Sequence, residues 1–212
     1  MASSWPSEVP FASLLIYSPK GSSEVSGKSR QVCYAIKRGD TQLLAQAVQV
    51  IAQVFQESGF GAFLGPDVGL VPAPGSAPHV PGGLWPAELI ARALVKAKLG
   101  HEVVPCLRRT VAVPKSAFAP PGERPTIHQH FETLEVERTL LVPSRLTIVD
   151  DVVTKGRTLL ACARRLQDSN PNADVRCFAM VRTMGLQPGV EAIVSACQGR
   201  IRCAGADAER EP

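Results

Sequence analysis

Leu146-Thr147-Ile148-Val149-Asp150-Asp151-Val152-Val153-Thr154-Lys155-Gly156-Arg157-Thr158 sets the reading of the whole chain. Four strand-forming residues run into two adjacent carboxylates, two valines and a short polar turn. A helical pattern rich in good helix formers follows from Leu159 to Leu166. Strand, tight turn and helix together aim free backbone N–H groups and the positive end of a helix dipole at one point. That point suits a phosphate. Thr154 and Thr158 add hydroxyl donors, and Gly156 permits a backbone conformation that a Cβ would obstruct.

Asp150 and Asp151 have different chemistry available. Ionised carboxylates only accept hydrogen bonds, so a pair of them suits a vicinal diol or a hydrated metal ion. A diol close to a phosphate describes a ribose 5-phosphate. Adjacent acids after an apolar strand also occur in receiver domains and as helix caps. A receiver places its acids near the chain start and has no use for Thr-x-Gly-x-Thr behind them.

With 212 residues the chain is long enough for one domain with a sizeable core. Apolar residues at 45% and charged residues at 20% are ordinary for a soluble protein. The formal net charge of +4 fits an anionic small molecule and gives no indication of nucleic acid. The six cysteines contain no C-x-x-C pair, which argues against a zinc ribbon and suggests no disulfide framework. No membrane segment or leader is expected, and the protein reads as cytoplasmic.

Outward from the central stretch, Phe11–Tyr17 reads as a strand and 18–29 as a Ser/Gly-rich connection. Gly27-Lys28-Ser29 resembles the tail of a P-loop. Ser22 stands where that motif needs Gly, so a solvated turn is expected. Gln31–Ile36 reads as a second strand, and Asp40 as the cap of a helix over 41–57. A short strand at Val68–Val71 opens into a Pro/Gly/Ser loop and a helix over 85–98, again an anion-binding arrangement. Strands are further expected at His101–Val104, Phe131–Val136 and Asp174–Val181, the last covered on both faces. Between them, 105–130 runs without periodicity and holds five prolines, which suggests a functional lid. It carries Arg108, Arg109, Lys115 and Arg124. Residues 206–212 are expected to fray.

The stretch IVDDVVTKGRT resembles the ribose-phosphate signature of the type I phosphoribosyltransferases, which use 5-phosphoribosyl 1-pyrophosphate (PRPP). Lys155 departs from the usual small residue there and could serve as a point charge on phosphate. The resemblance implies an α/β fold: a Rossmann-like parallel sheet with helices on both faces, and a small hood from 1–40 and 183–205. It makes 1–205 a single domain, with a flexible loop at 105–130 and homodimerisation as a family-based expectation. Asp150 and Asp151 would hold the ribose diol and Mg²⁺, directly or through water. Val153, Thr154, Lys155, Gly156, Arg157 and Thr158 would hold the 5-phosphate. Ala73, Pro74, Gly75 and Ser76 would hold the pyrophosphate, and Arg108, Arg109 or Lys115 would neutralise it as it leaves. The reaction implied is displacement at the ribose C1 by a small nitrogenous acceptor. Thr154 stands where enzymes for 6-oxopurines carry an acid, and no aromatic residue follows Arg182, so the acceptor stays open. ComF-type phosphoribosyltransferase-like proteins are the nearest group, through Tyr34-Ala35-Ile36-Lys37, the 71–98 unit and the signature as far as Arg182. Their zinc ribbon is missing here. Two functions are compatible with these residues: an active phosphoribosyltransferase, or a PRPP-binding module without turnover, as a regulator or as a competence-like partner in nucleic-acid metabolism.

Overall fold

A computed structural model describes residues 5–115, 120, 123–137, 143–185 and 189–212. Its core is a seven-stranded sheet in the order β3-β2-β6-β7-β1-β8-β9. The strands are β1 (Glu8–Tyr17), β2 (Gly69–Pro72), β3 (Glu102–Val103), β6 (Arg145–Val153), β7 (Asp174–Thr183), β8 (Val194–Ala204) and β9 (Asp207–Glu211). The first five named run parallel, and β8 and β9 complete the sheet in antiparallel register. β6 and β7 are nearly continuous in apolar residues because helices cover both of their faces.

On one face pack α1 (Glu24–Lys37), α2 (Thr41–Val54) and α3 (Pro86–Lys96), through Ile36, Leu44, Ile51, Ile90 and Leu94. On the other lie α5 (Arg157–Ser169), α4 (Ile127–Glu132) and a two-stranded ribbon, β4 (Leu107–Arg109) with β5 (Leu134–Val136). Leu107, Ile127, Leu134, Leu159 and Leu166 are buried between these elements and the sheet. The parallel sheet flanked by helices is the expected architecture. Among the described residues no helix is long and apolar enough to cross a membrane. All six cysteines are free, and no disulfide links them.

Several expectations are corrected. Gln31–Ile36 is helical, inside α1, and Gly27-Lys28-Ser29 belongs to the same helix. Ser23 caps it by accepting from the Ser26 amide at 3.1 Å. The buried face of α1 is Ser26, Ser29, Cys33 and Ile36. Its spacing is helical, but two of the four positions are serines, so a hydrophobicity pattern passes over it. Ser29 is 1% exposed, with its hydroxyl donating to Ser26 O. The strand expected over Phe131–Val136 begins only at Leu134, because Phe131 and Glu132 belong to a helix that Thr126 and Gln129 start with a capping box. The lid at 105–130 contains β4 and most of α4, while 116–119 and 121–122 fall outside the described residues.

The tail does not fray. Asp207–Glu211 pairs with β8 across a two-residue turn in which Gly205 takes φ 63°. Nor do the described parts of 1–40 and 183–205 form a hood: β1 lies within the sheet, α1 packs on it, and β8 extends it.

Candidate functional site

The sheet has one point where its crossovers diverge. From β2 the chain passes through α3 to β3 at one edge; from β6 it passes through α5 to β7 on the other side. β2 and β6 are neighbours, paired from Gly69↔Leu146 to Pro72↔Val149. Their carboxyl ends therefore border a crevice, the usual ligand site of an open parallel sheet. The Ala73 amide donates to Val149 O at 2.8 Å, which puts the start of the β2 loop beside Asp150. Two segments that lie far apart in sequence, 73–76 and 150–158, are thus brought together.

Asp150 and Asp151 lie within β6, three and two residues before its end. Each carboxylate accepts from the next amide along the chain: Asp151 N–H to Asp150 Oδ1 at 2.9 Å, and Val152 N–H to Asp151 Oδ1 at 2.8 Å. Burial, and after it the charge of Asp151, hold the Asp150 carboxyl well above the usual carboxylate range. Asp151 is partly exposed and lies 4.0 Å from Lys37 Nζ, at the end of α1. Lys37 is a neighbour of the site that is not among the expected site residues.

The bend after β6 is built from its own backbone. Val153 belongs to the strand, in register with Arg182. Thr154 and Lys155 are exposed, and Gly156 caps α5 with φ 89° and no side-chain cap. A Cβ on Gly156 would come within 2.7 Å of Ile201, so both its dihedral and its surroundings call for glycine. α1, α2 and α4 carry side-chain caps from Ser23, Asp40 and Thr126, whereas α3 and α5 have none. The uncapped pair are the two helices that follow β2 and β6. α5 leaves its first-turn amides available to an anion, whereas α3 begins with Pro86, which has no N–H, and carries Glu88 in its first turn.

The two cationic side chains of the bend point elsewhere. Lys155 Nζ pairs with Asp207 at 2.7 Å, and Arg157 Nε donates to the same carboxylate. These bonds hold Asp207 well below the usual carboxylate range, the Arg157 hydrogen bond being the largest influence. Lys155 is therefore engaged with β9, and Asp207, which lies in the tail expected to fray, is a supporting residue of the bend.

Of the cations expected at the pyrophosphate, two are committed to other partners. Arg108 pairs with Glu135 at 2.8 Å and Glu137 at 3.1 Å. Arg109 is 3% exposed, and its guanidinium donates to Gly75 O, Thr133 Oγ1 and His130 Nδ1. It clamps the 73–76 loop to the ribbon and α4. None of these three partners carries a charge to offset it. Lys115 is exposed, two residues past Val113, whose amide donates to Ser76 O at 2.7 Å. Ala73 and Pro74 are buried, Trp85 Nε1 donates to Ala73 O at 2.8 Å, and the space where a Gly75 side chain would stand is open.

The site offers two oxygen-donor carboxylates, the uncapped start of α5 and no reactive thiol, since burial pushes the nearby Cys162 up to about 12. Among the described residues no cluster of three or more His, Cys, Asp or Glu could hold a metal ion alone. An open depression of about 430 Å³ lies instead along the β3 edge, near Arg92, Lys96 and His101, and shares no residue with the crevice. No family model and no curated protein matches the chain.

Proposed function

We propose that this chain binds PRPP and transfers its 5-phosphoribosyl group to a small nitrogenous acceptor, releasing pyrophosphate, as a type I phosphoribosyltransferase. The observation that carries the reading is the placement of the Asp150–Asp151 pair. It lies near the carboxyl end of β6, beside the start of the 73–76 loop and just ahead of the uncapped start of α5, where the crossovers diverge. In this reading the ribose diol meets the acids, the 5-phosphate meets the amides of 154–158, and the pyrophosphate meets the 73–76 loop with Lys115 beside it. Asp150 and Asp151 also suit Mg²⁺, a hard cation that takes one or two carboxylates and fills its shell with phosphate oxygens and water. The neighbouring charge of Asp151, which after burial favours a proton on Asp150, also favours a bound dication. Bound there, Mg²⁺ would offset charge on the pyrophosphate. The residues themselves orient the sugar, hold both phosphate groups and set them in line with the acceptor.

One observation favours the second reading, PRPP binding without turnover. Arg108 and Arg109, the expected partners of the leaving group, are tied to Glu135, Glu137 and the loop carbonyl of Gly75. Calorimetry of PRPP with and without Mg²⁺ tests the binding step. Asp151→Asn is expected to weaken it by at least tenfold, the equivalent of about 1.5 kcal/mol for a charge-assisted hydrogen bond. Unchanged affinity would remove Asp151 from the site. Pyrophosphate release with a panel of amines and bases then separates turnover from binding alone.

A further inference from the structure

Arg182 and Arg210 occupy one corner of the sheet, at the carboxyl end of β7, where Arg210 reaches the carbonyl of Thr183, the residue after Arg182. Arg182 is 6% exposed and donates to Ser195 O, Ser195 Oγ at 3.0 Å and Ser13 Oγ at 3.2 Å. Arg210 reaches in from β9, with its guanidinium 5.6 Å above the Phe11 ring, on the side of the sheet covered by α5. Its Nη2 donates to Thr183 O at 2.6 Å, while Nε and Nη1 are buried and have no hydrogen-bond partner. All the groups these two cations touch are neutral. Of the carboxylates on β1 and β9, Asp207 is engaged with Lys155 and Arg157, Glu211 with Arg202 and Glu8 with Arg200 and Arg202, while Glu209 is exposed to solvent.

We propose that Arg182 and Arg210 form an oxyanion subsite next to the 154–158 bend, taking the carboxylate or phosphate group of an anionic ligand. A guanidinium presents donors in a planar fork that matches two oxygens of such a group, and Arg210 holds Nε and Nη1 uncommitted. Two neighbouring cations with buried donors and no acid partner supply the charge such a group needs. The hydroxyls of Ser13 and Ser195 line the same corner. The subsite is one strand from the bend: Arg182 stands opposite Val153, and Thr183 Oγ1 donates to Val153 O at 3.5 Å. It uses neither Asp150 nor Asp151, so it stands or falls independently of PRPP binding.

Thermal unfolding at fixed ionic strength in chloride, with inorganic phosphate or acetate titrated in, tests the proposal. One of the two oxyanions is expected to raise the melting temperature saturably, and which one responds identifies the group bound. Arg210→Met is expected to melt no lower than wild type in chloride alone. The same variant should need at least tenfold more of that oxyanion for the subsite's share of the shift. Asp151→Asn should keep that share. A shift that is the same size in Arg210→Met as in wild type, or no shift in wild type with either oxyanion, overturns the proposal. If Arg210→Met does not fold, Arg210→Lys, which keeps the charge without the fork, is judged by the same tenfold criterion.

Discussion

Arg157, in the first turn of α5, donates its Nε–H to Asp207 in the last strand, and Lys155 pairs with the same carboxylate from the other side of Gly156. One acid in β9 thus pins both flanks of the bend. Asp207→Asn is expected to destabilise the fold by about 1 kcal/mol, since the carboxylate is partly solvated and screening reduces the effect. The pH dependence follows from the sign of the shift. Asp207 is held below its unfolded value, so its contribution is present above about pH 4 and is lost as pH falls through the folded value. Urea unfolding should therefore separate wild type from Asp207→Asn at pH 6, and the gap should close in acid.

Gly156→Ala tests the bend itself. The left-handed φ costs a residue with a Cβ roughly 1–2 kcal/mol. The approach of Ile201 adds an overpacking cost of about 1–3 kcal/mol. Only the second cost can be relieved from the other side. Gly156→Ala with Ile201→Ala should therefore recover part of the loss, beyond the sum of the single changes. Strict additivity would show that Ile201 yields freely and that strain in the backbone is the whole effect.

His130 predicts a second, separate pH dependence. Burial, then Arg109 and Arg157, lower it to about 4, and its Nδ1 accepts from Arg109 Nη2 at 3.3 Å. The imidazole is neutral, with its proton on Nε2, because an arginine can only donate. A histidine held below its unfolded value of about 6.5 contributes stability above that pH, which is lost as pH falls toward about 4. The loss is at most about 3 kcal/mol across that window. His130→Gln should flatten the stability curve between pH 6.5 and 4 and leave the acid limb set by Asp207 in place.

The sequence disclosed those parts of this architecture that periodicity can express. β6, β7, α2, α3 and α5 have unbroken apolar or 3.6-residue patterns, and each lies where expected. α1 was hidden because serines occupy its buried face, and β9 because its only fully buried side chain is Ala208, among Asp207, Glu209, Arg210 and Glu211. In the site, the acids and the two loops could be read from composition and order. The directions of the cationic side chains could not. Arg109 turns to Gly75 because Thr133 and His130, more than twenty residues away, are folded against it by the β4–β5 ribbon. No local pattern encodes such a contact.

Asp150 makes the sharpest separation between a structural and a ligand-binding role. Its carboxyl is held above the usual range by burial and by Asp151. A carboxyl raised in the folded state contributes stability below its unfolded value, about pH 4, and that contribution is lost as pH rises through the folded value. Near neutral pH the ligand-free protein therefore carries an acid it would be more stable without. Asp150→Asn, which keeps the shape and removes the charge, is expected to raise the melting temperature at pH 8. The rise should be a few degrees, roughly what 1 kcal/mol gives in a chain of this length. The same variant should lose the stabilisation that PRPP with Mg²⁺ gives wild type, because the charge that destabilises the free protein is the one that holds the ligand. A variant that melts lower at pH 8 would show that the carboxylate is needed by the fold. A variant that melts higher yet keeps the full response to PRPP would take Asp150 out of the binding site.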